Sequence, residues 1–114
     1  GLGNGSSAVV KIQAGDSFEV CGAEGEGPVH ALDRALRQAV GKFYPSVGKT
    51  RLTDYKVRVI DPQDATAARV RVLVETTDGK DVWSTVGVSR DVIQASLLAC
   101  VDALEYKLWK EERP

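Results

Sequence analysis

Hydrophobic and polar positions along this chain change period several times, and each change marks an element. "AVVKIQ" (Ala8 to Gln13) is rich in β-branched residues and reads as a strand. A tight turn at "AGD" follows. "SFEVCGAE" (Ser17 to Glu24) then alternates, with Phe18, Val20 and Gly22 on one side and Glu19, Cys21 and Ala23 on the other. The two segments predict a hairpin.

From Pro28, Val29, Leu32, Ala35, Leu36, Ala39, Val40 and Phe43 recur at i, i+3, i+4, i+7 spacing. This predicts an amphipathic helix, ended by Pro45 and Gly48. Alternation returns in "RLTDYKVRVID" (Arg51 to Asp61), where Tyr55, Val57 and Val59 share one face and Lys56 and Arg58 the other. "PQDAT" is a turn. In the next strand, "AARVRVLVETT" (Ala67 to Thr77), Ala68, Val70, Val72 and Val74 lie opposite Arg69 and Arg71. Asp78-Gly79 is a hairpin signal whose loop runs on through Asp81. "VWSTVGV" (Val82 to Val88) is the fifth strand. A last helix is predicted from about Arg90 to Glu111, with Ser89 as its cap and Asp91 near its positive end. Its apolar stripe is Ile93, Ala99, Cys100, Ala103, Leu104 and Leu108.

The order ββα then βββα suggests an internal repeat. A shift of 64 residues aligns the helices: Val29 with Ile93, Ala31 with Ala95, Ala35 with Ala99, Leu36 with Cys100, Ala39 with Ala103 and Val40 with Leu104. Gly25 to Gly27 then falls on Ser89 to Asp91. Nothing in the first half matches "RLTDYKVRVID". The expectation is an α+β fold of ββα-βββα form, its first unit lacking a first strand and keeping an open strand edge. Residues 1–7 are expected to be a flexible segment or an expression remnant, residues 8–114 one domain, and the chain a fragment of a longer polypeptide.

Composition narrows the function classes. Fifteen basic against 16 acidic residues give a net charge of −1, without the basic excess of a nucleic-acid-binding domain. No apolar run approaches the ~20 residues of a membrane helix, so neither nucleic acid nor membrane is an expected partner. Cys21 and Cys100 are far apart and sit among apolar neighbours. They fit small buried hydrophobes in a reducing compartment, with the cytoplasm as the expected location, although a disulfide stays possible.

Little in the chain points to catalysis. The one histidine, His30, lies in the first turn of the first helix, where Asp33 could pair with it; an exposed helix-face histidine is the plainer reading. The carboxylates read as scattered over turns and solvated faces. No metal-ligand spacing, phosphate loop or nucleophile elbow occurs, so no catalytic residue, metal or cofactor is expected. Gly22, Gly25 and Gly27 have the wrong spacing for a dinucleotide fingerprint. Lys56, Arg58, Arg69 and Arg71 could cluster as an RNA-binding sheet, but no aromatic interleaves with them for base stacking. Two helix starts, near Gly27 and Ser89, offer free N–H groups from matching places. With Tyr55 on an apolar strand face and the small-residue turn "DATAA" (Asp64 to Ala68), they suggest a pocket for a small molecule with a carboxylate and an aliphatic tail.

"GEGPVHALDRAL", "LTDYKVRVID" and "TAARVRVLVETTDGKDVWSTVGVSRDVIQASLLACVDALEYKL" resemble the C-terminal regulatory domain of the 2-isopropylmalate synthase and citramalate synthase family. "DYKVRV" and "DALEYKL" look more like the citramalate-type branch. The resemblance covers roughly Ala8 to Lys110. It implies two βββα units in a pseudo-two-fold arrangement, forming a homodimeric domain. It implies a bound end-product amino acid, leucine in one branch and isoleucine in the other, that inhibits a separate catalytic barrel of the same full-length chain by feedback. It implies no activity in this part alone, because the acetyl-CoA-dependent chemistry belongs to that barrel.

The effector-binding residues it implies are Glu26, Gly27 and Val29 in the glycine turn, Leu52, Tyr55 and Val59 on the third strand, Ala65, Thr66 and Ala67 in the small-residue turn, and Val88 before the last helix. Leu52, Val59 and Val88 would line the effector's tail, and helix-start N–H groups would hold its carboxylate. Relatives often carry Asn or Asp where this chain has Glu26, a departure that weakens its assignment to the amino group. The alternatives are a dimerisation module without ligand and an RNA-binding sheet.

Overall fold

The computed structural model describes residues 5–60 and 68–112. Two antiparallel strands, β1 (Ser6–Ala14) and β2 (Ser17–Gly25), form the first sheet. Ala14 pairs directly with Ser17, so Gly15 and Asp16 alone make the turn. Gly15 adopts φ +61°, where a side chain would be strained. Helix α1 (Pro28–Phe43) packs on this hairpin. A 3-10 turn, Pro45–Lys49, leads to the second sheet, β3 (Arg51–Ile60), β4 (Arg69–Thr77) and β5 (Val82–Ser89), in that spatial order. Helix α2 (Val92–Glu111) covers β4 and β5.

This is the expected ββα-βββα arrangement. The helices begin at Pro28 and Val92, 64 residues apart, so the repeat inferred from the sequence is kept in the structure. Three boundaries differ. Ser6 and Ser7, expected in a flexible segment, pair with Gly25 and Glu24 in β1. The cap of α2 is Asp91 rather than Ser89: Asp91 Oδ1 accepts the Ile93 N–H at 2.8 Å, and α2 starts two residues later than expected. Ile93 is exposed and leaves the apolar stripe.

The core joins Val72 and Val74 of β4 to Ala95, Ala99, Cys100, Ala103 and Leu104 of α2, with Leu36 and Val47 completing it. Small residues on α2 let the helix lie directly on β5 at Gly87. A Cβ there would stand 2.0 Å from the Ala95 carbonyl oxygen, so only glycine fits. Trp83 Nε1 and Thr85 Oγ1 donate to the Ala103 and Ala99 carbonyls at 3.1 and 2.6 Å, pinning the sheet to the helix. Both cysteines are free, and burial pushes the Cys100 thiol up to about 12, so it behaves as a small hydrophobe.

Not all carboxylates lie on solvated surface. Asp33 is buried on α1 beside Arg37, whose Nε donates to Asp33 Oδ1 at 2.8 Å. The same guanidinium reaches Thr50 Oγ1 at 2.5 Å and Thr76 Oγ1 at 3.2 Å, tying the first unit's helix to the second unit's sheet. Burial raises the Asp33 pKa, against the pull of Arg37. The loop after β4 is fastened differently. Asp78 Oδ1 accepts the Lys80 and Asp81 N–H groups, and its Oδ2 accepts Lys107 and Lys110 of α2. Together these bonds hold Asp78 well below the usual carboxylate range.

Candidate functional site

The two helix starts differ. At α2 the Asp91 side chain occupies a first-turn N–H, and Ser89 Oγ accepts the Asp91 N–H while meeting Gln94. At α1 the cap position is Gly27, which has no side chain to offer, and Pro28 follows it. Among the described residues, the positive end of α1 therefore lacks a side-chain acceptor.

The turn before α1 is tightly packed. A Cβ on Gly25 would lie 2.5 Å from the Ala31 nitrogen and 2.9 Å from His30 Nδ1. Glycine lets the chain fold back onto the first helical turn. The Glu26 N–H donates to His30 Nδ1 at 3.2 Å, and Arg34 donates to the Glu24 carbonyl at 2.7 Å. His30 does not pair with Asp33, the less favoured of the two readings of this histidine. Asp33 turns inward to Arg37, because a buried carboxylate needs a charged partner.

Opposite this turn stands the start of β3. A register shift between Leu52 and Asp54 inserts Thr53 as an extra residue, a β-bulge that bends the strand. Thr53 Oγ1 donates to Glu75 Oε1 at 2.7 Å. The Tyr55 hydroxyl reaches Gly27, where a Cβ would meet it at 3.6 Å. Between the two elements lies an open cleft of about 230 Å³, lined by Glu26, His30, Leu52, Thr53, Asp54 and Tyr55. That is below the roughly 300 Å³ at which drug-sized pockets begin, the scale of a single amino acid. The cleft carries two carboxylates, one imidazole, two hydroxyls and an aliphatic wall beside a helix's positive end. It can receive a cation and an anion a few ångströms apart.

Of the residues singled out in the sequence, Glu26, Leu52 and Tyr55 line this cleft and Gly27 borders it. Val29 is buried beneath it in the core. Val59 lies four residues further along β3, about 13 Å at strand rise, on the same face as Tyr55 and 56% exposed. Val88 pairs with Arg71 on the other sheet face and does not reach the cleft within this chain. Ala65, Thr66 and Ala67 lie outside the described residues. His30, Thr53 and Asp54 were not among the expected binding residues. In the sequence His30 reads as an exposed helix-face residue, and the bulge at which Thr53 and Asp54 lie has no marker in the strand's alternation.

The basic face of the second sheet carries Lys56, Arg58 and Arg71, with Arg58 opposite Arg71, and shows no aromatic side chain among the described residues. Nothing there supplies base stacking. No group of three metal-ligating side chains gathers among the described residues, and no helix is long and apolar enough to cross a membrane.

The chain is a duplicated β/α domain with a small open cleft beside one of its two helix starts. Over residues 1–108 the chain matches the family described as LeuA allosteric (dimerisation) domain, and it belongs to that family. It is 50% identical over 107 residues to the (R)-citramalate synthase of Aquifex aeolicus, covering 94% of this chain and 20% of that one. The (R)-citramalate synthase of Geobacter sulfurreducens is 48% identical over the same shares. The 2-isopropylmalate synthase of Aquifex aeolicus is more distant, at 31% over 93% of this chain and 19% of its own length. The chain thus spans about a fifth of the length of the curated relatives it matches.

Proposed function

We propose that this domain senses a branched-chain amino acid and relays feedback inhibition to the catalytic barrel of a citramalate synthase-type, acetyl-CoA-dependent enzyme. Isoleucine is the first candidate and leucine the second. The observation that carries the reading is the start of α1, without a side-chain cap among the described residues, with Glu26 beside it and Asp54 and Tyr55 across the cleft. The effector's carboxylate meets the helix-start N–H groups, its ammonium meets Glu26 and Asp54, and its aliphatic tail lies on Leu52 and the Tyr55 ring. The greater identity to citramalate synthases than to the 2-isopropylmalate synthase supports that branch, and with it isoleucine.

The domain also pairs with a second copy. Val9, Phe18 and Val20 are 74%, 52% and 60% exposed on the outer face of the first hairpin, apolar surface of the kind that a dimer covers. The domain has no catalysis of its own and works in the cytoplasm. Calorimetric titration with isoleucine, leucine, valine and glycine tests the ligand. Saturable binding is expected, strongest for isoleucine and absent for glycine. A dimer in sedimentation without heat from any of them would reduce the domain to a dimerisation module.

A further inference from the structure

We infer that neutral His30 is the positioning residue of the effector site, holding Glu26 in place through the bond from the Glu26 N–H to His30 Nδ1. This rests on the amino-acid reading above. Accepting at Nδ1 requires the ring's proton to sit on Nε2. The bond is 3.2 Å long, and the ring is wedged under the Gly25-Glu26 peptide, with His30 Nδ1 2.9 Å from a Cβ position on Gly25. The turn that carries Glu26 thus rests on an acceptor that a second proton removes.

Protonation has two consequences in the cleft. The Glu26 N–H then faces an N–H instead of a lone pair, and the turn shifts off the ring. The imidazolium also becomes a cation beside the carboxylates that would hold an ammonium. The charged and titratable groups around it are Glu26 on the turn that rests on the ring, Asp54 and Tyr55 across the cleft, and Asp33 and Arg34 on α1 itself. Histidine is the side chain whose charge ordinarily changes between pH 5 and 8. Effector affinity therefore falls when the ring gains its second proton, while the ligand's own two charges stay constant.

The test compares isoleucine titrations at about pH 8 and about pH 5.5 for the wild type, His30→Asn, His30→Gln and His30→Ala. Asn places an oxygen near the Nδ1 position and does not titrate; Gln reaches only toward the Nε2 position. The expected result is a roughly three- to tenfold loss of affinity at low pH for the wild type, the worth of about one hydrogen bond. His30→Asn is expected to bind well at both pH values, and the Gln and Ala variants weakly at both. His30→Ala binding like the wild type, or His30→Asn keeping the wild-type pH profile, overturns the inference.

If no amino acid binds the wild type, the functional reading fails, and the ligand-free protein still decides the role of His30. The Glu26 amide resonance should follow the His30 ring titration in the wild type and stay still in His30→Asn. A Glu26 amide indifferent to the ring's charge overturns the inference.

Discussion

The two units share one plan and differ where they begin their helices and where those helices meet the neighbouring sheet. Asp91 caps α2 with its own side chain, whereas Gly27 leaves α1 without one. The helix-to-sheet junctions diverge as well. On α1, Arg37 donates to Asp33 and to Thr76 of β4. At the positions 64 residues away stand Leu97 and Val101 of α2 and Ile12 of β1, which border an open apolar groove of about 580 Å³ beside the free edge of β1. The polar junction has β3 beside it and is closed. The apolar one has no third strand beside it among the described residues and is open. Duplication fixes the frame of the domain, and departures from duplication distinguish its two ends: one helix start has no side-chain cap among the described residues, and one junction is locked with β3 beside it.

The largest expected effect tests the shared frame. Gly87→Ala drives a methyl into the Ala95 carbonyl. Overpacking of this kind costs about 1–3 kcal/mol where side chains can move, and here backbone meets backbone, so urea denaturation should show a loss at the top of that range or an unfolded chain. Native-like stability would mean that α2 stands further from β5.

Arg37→Met strikes the locked junction next. It strands the buried Asp33, and breaking such a pair costs about 3–5 kcal/mol. Adding Asp33→Leu should recover much of that loss, because two apolar side chains replace an ion pair at little net cost. Equal losses for the single and double variants would show that Asp33 is not the stranded partner.

The pH dependence of stability sharpens the contrast between the carboxylates of the two fastenings. The Asp78 pKa is depressed, so its contribution is present above an unfolded-state value of about 3.9 and fades as pH falls below that. Asp33 has the opposite sign: its raised pKa makes its contribution fall as pH climbs through the carboxylate range. Asp78→Asn should lower Tm at neutral pH, with a deficit that starts to shrink only as pH falls below about 3.9 and persists in large part at about pH 3, because the folded-state pKa lies far lower. A Tm unchanged by the substitution at neutral pH would deny the ion pairs with Lys107 and Lys110 their role.

The smallest effects exchange the two helix starts. Asp91→Ala should cost about 1 kcal/mol of stability and leave effector affinity alone. Gly27→Asp should gain a few tenths of a kcal/mol and lose the effector, because its carboxylate takes the ligand's place. Strong effector binding by the Gly27→Asp protein would move the carboxylate site away from α1.

The alternation of "DYKVRV" and "VRVLVETT" and the 3.6 period after Pro28 made the strands, α1 and the repeat readable, because each face's burial is written residue by residue. The glycine turn and Tyr55 stand out in the sequence, and one cleft joins them. The buried role of Asp33 and Arg37 was not readable: spaced four apart on a helix, they look like any surface pair until Thr50 and Thr76, distant in sequence, close over them. The cap of α2 was misplaced because Ser89 and Asp91 are both good cap residues two positions apart, and the choice depends on where β5 releases the chain. Thr53 and Asp54 were missed because a bulge breaks the very alternation from which faces are read.

The central claim is that a ligand goes to one helix start and not to its twin. Amide chemical shifts recorded during an isoleucine titration test it most directly. The account predicts saturable shifts at Gly25 to His30 and Leu52 to Tyr55, with Asp91 to Gln94 unmoved. Shifts centred on Asp91 to Gln94, or equal at both starts, would contradict it.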